Sequence, residues 1–249
     1  MGSKLRSRIA SWFGYDLVKQ KKQMTLESHL RSLLPLLKVD LVLDVGGNEG
    51  QYGRLLRSMG YQGEIVSFEP LPKAFDVLSR RCRSDESWSC FSYALGEEYH
   101  ETYFNIARNS VFSSFHLPND RGTSQYWPRI EVVDKIPVRV LRLDDVLPEV
   151  VPDYAGRRIL LKMDTQGHDS WVVRGAERSM SSILALHSEL SVAGIYEGVP
   201  DYVQMLSNYR DLGFELTGIY PSGHDINTGH VVELDCVMAR ESVPGMAAG

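Results

Sequence analysis

The sequence is poor in cysteine, in long apolar runs and in positive charge. Its three cysteines, Cys82, Cys90 and Cys236, are an odd number and none belongs to a C-x-x-C pair. That excludes a disulfide framework and a cysteine-built zinc site, and free thiols fit a reducing, cytoplasmic setting. No apolar run approaches the ~18 residues that span a bilayer. The basic, aromatic stretch 1–22 lacks an apolar centre and a cleavage site, so it does not read as a secretory signal. Arg6 stands where a myristoylation signal favours Ser or Thr. Lys and Arg number 27 against 32 Asp and Glu, a net charge of −5. This argues against a nucleic-acid binder that works by bulk charge. What remains is the ordinary composition of a globular protein, 249 residues with 43% hydrophobic, enough for one or two domains.

Residues 1–38 read as a helical N-terminal extension. Leu26, Leu30, Leu33, Leu34 and Leu37 recur at helical spacing, and Thr25 can cap. The pattern then changes to short apolar runs alternating with helices. Strands are predicted at 41–45, 64–68, 88–95, 159–163, 183–190, 214–220 and 231–239, with helices at 51–59, 72–83, 169–180 and 201–212. Alternation with short links is the signature of a parallel sheet covered by helices. No helix separates the last two strands, so they are expected to pair antiparallel. These seven strands fill one domain, 39–240, with no second sheet and a tail at 241–249. The stretch 105–129 is long, polar and aromatic, and is read as a substrate-covering insertion.

The sharpest feature is Asp44-Val45-Gly46-Gly47-Asn48-Glu49-Gly50, set between a strand and a helix. Glycines there let the backbone turn and a ligand approach closely, and the helix beginning near Gly50 offers free N–H groups. Asp44, at the strand end, repels a pyrophosphate and attracts a cation. Glu69 ends the second strand, where an acid can accept both ribose hydroxyls. S-adenosylmethionine carries a ribose, an ammonium and a sulfonium, and meets all three demands. NAD meets one, and ATP calls for a Walker pattern that is absent.

Leu43–Tyr52, Ser67-Phe68-Glu69-Pro70, Leu161–His168 with Arg174-Gly175-Ala176, and Glu233–Val237 together resemble the FkbM family of S-adenosylmethionine-dependent methyltransferases, over about residues 10–240. The resemblance implies an α/β fold, the Rossmann-like class I methyltransferase sheet of seven mostly parallel strands with the last antiparallel and helices on both faces. It implies O-methylation of sugars or related natural products. By position, Asp44, Gly46, Gly47, Asn48, Gly50 and Tyr52 would bind the methionine end, Glu69 and Pro70 the ribose, and Ala94 and Leu95 the adenine. The sequence departs from the family at Gln166, where an acid is usual, and at His168, where a small residue is common.

Methyl transfer to a hydroxyl needs the acceptor aligned and its proton removed. Lys162, Asp164 and Gln166 alternate along a strand and its exit, at the edge where open α/β sheets bind ligands. His168 follows, and His is the natural base at neutral pH. Asp164 would orient it, touch the cofactor or bind a metal; Lys162 with Asp164 also reads as a structural ion pair. Glu189 ends the next strand and, with Asp164, makes a candidate Mg²⁺ site. His116, Tyr126, Trp127, Gln166, Tyr196 and Glu197 are candidates for holding the acceptor, and Trp12 and Phe13 for a lid or homodimer contact. The expected acceptor is a small molecule or glycan. The competing readings are an NAD-dependent Rossmann oxidoreductase, disfavoured by Asp44, and a non-catalytic S-adenosylmethionine-binding module.

Overall fold

The computed structural model describes residue 12, residues 24–225 and residues 227–240. Trp12 is helical and exposed; Phe13 and the tail 241–249 lie outside the described residues. Helix α1 (Leu26–Leu37) opens on a capping box between Thr25 and Ser28. Strand β1 (Leu41–Val45) is buried along its whole length, as a central parallel strand must be. Then come α2 (Gln51–Ser58), β2 (Glu64–Phe68), α3 (Pro72–Cys82) and β3 (Trp88–Phe91). The second half holds α5 (Leu143–Val150), β7 (Ile159–Met163), α6 (Asp169–Arg174), β8 (Ile183–Ser191), α7 (Tyr202–Asp211), β9 (Phe214–His224) and β10 (Val231–Arg240).

Seven strands form one sheet in the order β3-β2-β1-β7-β8-β10-β9. All neighbours are parallel except β10, which runs antiparallel to both β8 and β9. Leu30, Leu33, Leu34 and Leu37 of α1, with Leu56 and Leu78, cover the face that presents Val42, Ile65, Leu160 and Val237. Leu143, Val146, Val172, Met205 and Tyr209 cover the opposite face, against Leu41, Leu43, Leu161 and Leu186. Registered neighbours share a face. Asp44 stands beside Lys162, and Lys162 beside His187, so the α1 face carries a polar row near its carboxyl edge.

Two expectations need correction. The third strand does not run from 88 to 95: after β3 the chain leaves the sheet, and β4 (Ala94–Leu95) joins a second one. That sheet, in the order β4-β6-β5, contains β5 (His100–Ala107) and β6 (Val132–Leu141). Its strands are short of apolar signal because they face water on one side, with Tyr103 and Val133 exposed. The stretch 105–129 is also ordered rather than irregular. It completes β5, makes a 3₁₀ turn at Ser110–Phe112 and forms α4 (Asp120–Tyr126), capped by the Asn119 side chain on Gly122 N. Among the described residues no helix is long and apolar enough to cross a membrane.

Candidate active site

The strand order reverses between β1 and β7, and ligands of open α/β sheets bind at that point, beyond the carboxyl ends of the strands. A cavity of about 310 Å³ lies there, within the ordinary ligand range of ~300–1,000 Å³. Gly46, with φ +76°, brings the β1 turn against the exit of β7. A Cβ at this position would stand 2.0 Å from the Asp164 carbonyl oxygen, so only glycine lets the two loops meet.

One end of the cavity is apolar, walled by Phe68, Leu71, Ala94, Leu95, Phe104 and Phe115. Glu69 sits beside this wall, 4% exposed. Its carboxylate accepts from Asn48 N at 2.8 Å and Leu71 N at 2.7 Å, which fixes it and leaves lone pairs for a ligand hydroxyl. Burial pushes its pKa up to about 7, against the two backbone donors that favour the anion.

The other end is acidic, with Asp164, Glu189 and Glu233 on the wall. Gln166 ties it together. The amide Nε2 donates to Glu189 Oε2 at 2.8 Å and Asp164 Oδ1 at 3.3 Å, while Oε1 accepts from Tyr196 OH at 3.2 Å. Gln166 can do this because its backbone takes φ +51° and its carbonyl accepts from Ser114 Oγ at 2.7 Å. Burial and then the neighbouring charge of Asp164 push Glu189 well above the usual carboxylate range. Glu233 is pushed up to about 7 by burial and by Asp164 and Asp235.

Behind the β1 turn a second cavity, of about 380 Å³, shares Gly46, Asn48, Val111 and Asp164 with the first. Gly47, Gln51, Tyr52, Lys162, His187 and Asp235 also line it. His187 is held between Tyr52 OH and Asp235 Oδ1, each at 3.1 Å. Lys162 Nζ lies 3.0 Å from Asp44 Oδ1 and 3.6 Å from Asp164 Oδ2. Burial opposes the Lys162 charge, but those carboxylates outweigh it and hold the ammonium protonated. Asp44 also accepts from Ser67 Oγ at 2.9 Å, which itself accepts from Trp88 Nε1 at 3.0 Å.

The methyltransferase FkbM domain model matches residues 44–216, a span that carries Glu69, Asp164, Gln166 and Glu189. The chain belongs to the FkbM methyltransferase family. It is similar to the 2-O-methyltransferase NoeI of Sinorhizobium fredii, 25% identical over 216 residues that cover 82% of this chain and 84% of that one. It is similar as well to the methyltransferase sdnD of Sordaria araneosa, 27% identical with 76% and 79% covered. A fibrillarin from Aeropyrum pernix, solved with S-adenosyl-L-methionine, aligns at 11% identity and TM-score 0.44, covering 80% of this chain and 66% of that one.

In this FkbM methyltransferase the cavity gathers Gly46, Asn48, Glu69, Pro70, Ala94, Leu95, Asp164, Gln166, His168 and Glu189 from the sequence-derived candidates. Gly47, Tyr52 and Lys162 line the second cavity instead. Tyr196 reaches the site through Gln166. Several expectations are corrected. Asp44 is fully buried and engaged by Lys162, so it lies behind the wall rather than on it. Gly50 is the N-cap of α2 and packs toward Leu78 and Trp88. His168 is no base at neutral pH, because burial beside His116 pushes it down to about 3. His116 packs at a tilt against Trp171, Tyr126 packs on Phe112, and Trp127 and Glu197 face solvent; none of the four lines the cavity. The Mg²⁺ expectation finds no support: the Gln166 amide already bonds both Asp164 and Glu189, and no metal-holding cluster of three or more ligands occurs among the described residues.

The residues that sequence reasoning missed are Glu233, the apolar Phe104, Phe112 and Phe115, and His187 and Asp235, which continue a chain from Tyr52. Alternation of Glu233 and Asp235 inside an otherwise apolar final strand was the available signal for the acids. For the phenylalanines there was none, since they come from the second sheet and the insertion.

Proposed function

We propose that the protein is an S-adenosylmethionine-dependent O-methyltransferase acting on a hydroxyl of a sugar or glycosylated small molecule. The observation that carries this is the run of the cavity from the buried carboxylate of Glu69, beside an apolar wall, to the acids Asp164, Glu189 and Glu233. From β2 to β8 is three strand spacings, roughly 14 Å, the span of an elongated ligand with an apolar base at one end and a cationic centre near the other. The relative NoeI, named a 2-O-methyltransferase, accords with an oxygen acceptor.

When bound, S-adenosylmethionine supplies an electrophilic methyl on a sulfonium. The chain's own residues do the rest. Glu69, preset by Asn48 N and Leu71 N, accepts the ribose hydroxyls. The second cavity, with the first turn of α2 and the Tyr52 hydroxyl, receives the amino-acid end. Asp164 and Glu189 set a negative field at the cationic centre. Glu189, ionised beside the cofactor's positive charge, would take the proton of the acceptor hydroxyl, since its carboxyl is buried, raised in basicity and held in one orientation by Gln166. Residues 110–115 of the insertion close the wall above. A cytoplasmic setting accords with three unpaired cysteines.

The NAD reading loses its counter-argument from the sequence, since Lys162 neutralises Asp44. It stays disfavoured because the acidic end would repel a pyrophosphate. Calorimetry with S-adenosylmethionine decides. The wild type binds, and Glu69→Ala weakens binding by about a hundredfold, the scale of hydrogen bonds to a charged acceptor. Failure of the wild type to bind overturns the proposal. A methyl-transfer assay on a sugar and glycolipid panel, with and without Mg²⁺, identifies the acceptor.

A further inference from the structure

Glu189 stands in acidic company. Asp164 and Asp169 face it from the β7 exit and α6, and Glu233 and Asp235 from β10. The Lys162 ammonium close by is engaged by Asp44 and Asp164. What donates to the Glu189 carboxyl group is the amide of Gln166, from Nε2 to Oε2 at 2.8 Å. An amide can turn over about its last bond, and its two faces act in opposite senses. With nitrogen toward Glu189 it favours the carboxylate. Turned over, it presents Oε1, which repels the carboxylate and suits only the protonated acid. A carboxylate at position 166 would likewise have no N–H to give. The state of the base therefore depends on what holds the amide.

Gln166 is gripped at backbone and side chain. Its carbonyl accepts from Ser114 Oγ at 2.7 Å. Its Oε1 accepts from Tyr196 OH at 3.2 Å, and the same hydroxyl donates to Phe112 O at 2.9 Å. Tyr196 is 7% exposed, and burial, then the acids Glu233, Glu189 and Asp164, hold its phenol protonated. It is thus a donor set between two carbonyl oxygens that can only accept. The tyrosine is itself stapled to the insertion. Asn119 Nδ2 donates to its carbonyl at 3.2 Å, and Pro118 forms a β-bridge with it.

We propose that Tyr196 is a positioning residue for the transfer: its hydroxyl, braced on the Phe112 carbonyl, keeps the Gln166 amide nitrogen turned toward Glu189, so that the carboxylate stays available to the acceptor hydroxyl. This rests on the reading of Glu189 as the proton acceptor. The insertion then does more than wall the cavity. Through Phe112 and Ser114 it holds the group that orients the base.

The test is a carbon-13 NMR titration of the ligand-free protein, labelled at the glutamate side-chain carboxyls, from about pH 5 to about pH 10. Glu189→Gln assigns the signal. Tyr196→Phe keeps the ring and removes the hydroxyl. It is expected to raise the Glu189 pKa by about one pH unit, an approximately tenfold gain in proton affinity, on the scale of one hydrogen bond to a charged group. Gln166→Met, which removes the amide, should raise it at least as far. Tyr196→Phe added to Gln166→Met should then change the affinity by less than about threefold, because its route of action is gone. Equal titration of wild type and Tyr196→Phe overturns the inference. So does a Tyr196→Phe effect that persists in full without the amide, or a wild-type Glu189 still protonated at the alkaline limit. If Tyr196→Phe fails to fold, Gln166→Met decides, and no rise there overturns the inference. No ligand takes part, so these outcomes leave the cofactor reading to its own calorimetric test.

Discussion

The two ends of the cavity answer to the same physical force in opposite ways. At the apolar end, burial strips His168 of its proton and leaves a neutral ring with a basicity of about 3. At the acidic end, burial and the neighbouring carboxylates raise the proton affinity of Glu189 and Glu233, the latter to about 7. Desolvation disfavours charge whichever sign it has. The histidine that looks like a base by residue type is thereby disabled, and the carboxyl groups that look too acidic become suited to the task. Residue type alone points to the wrong group, and the neighbours decide.

The sharpest way to break this comparison is Glu189→Gln, which keeps the shape and removes the proton acceptor. Turnover should fall about 10²- to 10⁴-fold, with S-adenosylhomocysteine affinity little changed in calorimetry. Unchanged turnover would remove Glu189 from that role and reopen the choice of base. Next is the compensated pair on the other side of the β1 turn. Lys162→Met strands the fully buried Asp44 carboxylate, and urea unfolding should show a loss of about 3–5 kcal/mol. A loss below about 1 kcal/mol would mean that Ser67 and solvent suffice for Asp44.

The smallest effect is a slope with pH. Glu69 and Glu233 lie at about 7 in the folded chain against an ordinary 4.5. Between those values the native state binds more protons than the unfolded chain. The resulting stability is complete below the lower value and is lost as pH rises through the upper. The Tm of the ligand-free protein should therefore fall from about pH 5 to about pH 8, and Glu233→Gln should flatten the fall. A Tm that climbs over this interval would show that the acids are ionised in the folded state without cost.

Much of this is legible in the sequence. The main sheet could be read because β1, β7 and β8 are apolar on both faces, and its mouth because Glu69, Asp164 and Glu189 follow or end parallel strands. Glu233 escaped because β10 is antiparallel, so its beginning, not its end, meets the mouth. The second sheet escaped because β6 carries Asp134, Lys135 and Pro137. Proline is tolerated there since β4 pairs only with Val140 and Leu141, leaving β5 alone beside Pro137. Asp44 was found but misplaced. A sequence shows a carboxylate at a strand end, and not the ammonium that registers beside it on a strand more than a hundred residues later.

The placing of β10 between β8 and β9 has a bearing on synthesis. A chain emerging from the ribosome can form β1, β2 and β7 with their helices early, yet β8 has no outer neighbour until residues 231–240 arrive. β9, made sooner, must wait at a distance and then accept β10 along its inner edge. The acidic wall is completed only in that closing step, when Glu233 comes to stand opposite Ser191. A nascent chain can thus expose the nucleotide end of its cavity while still lacking the end where the methyl group would be passed on.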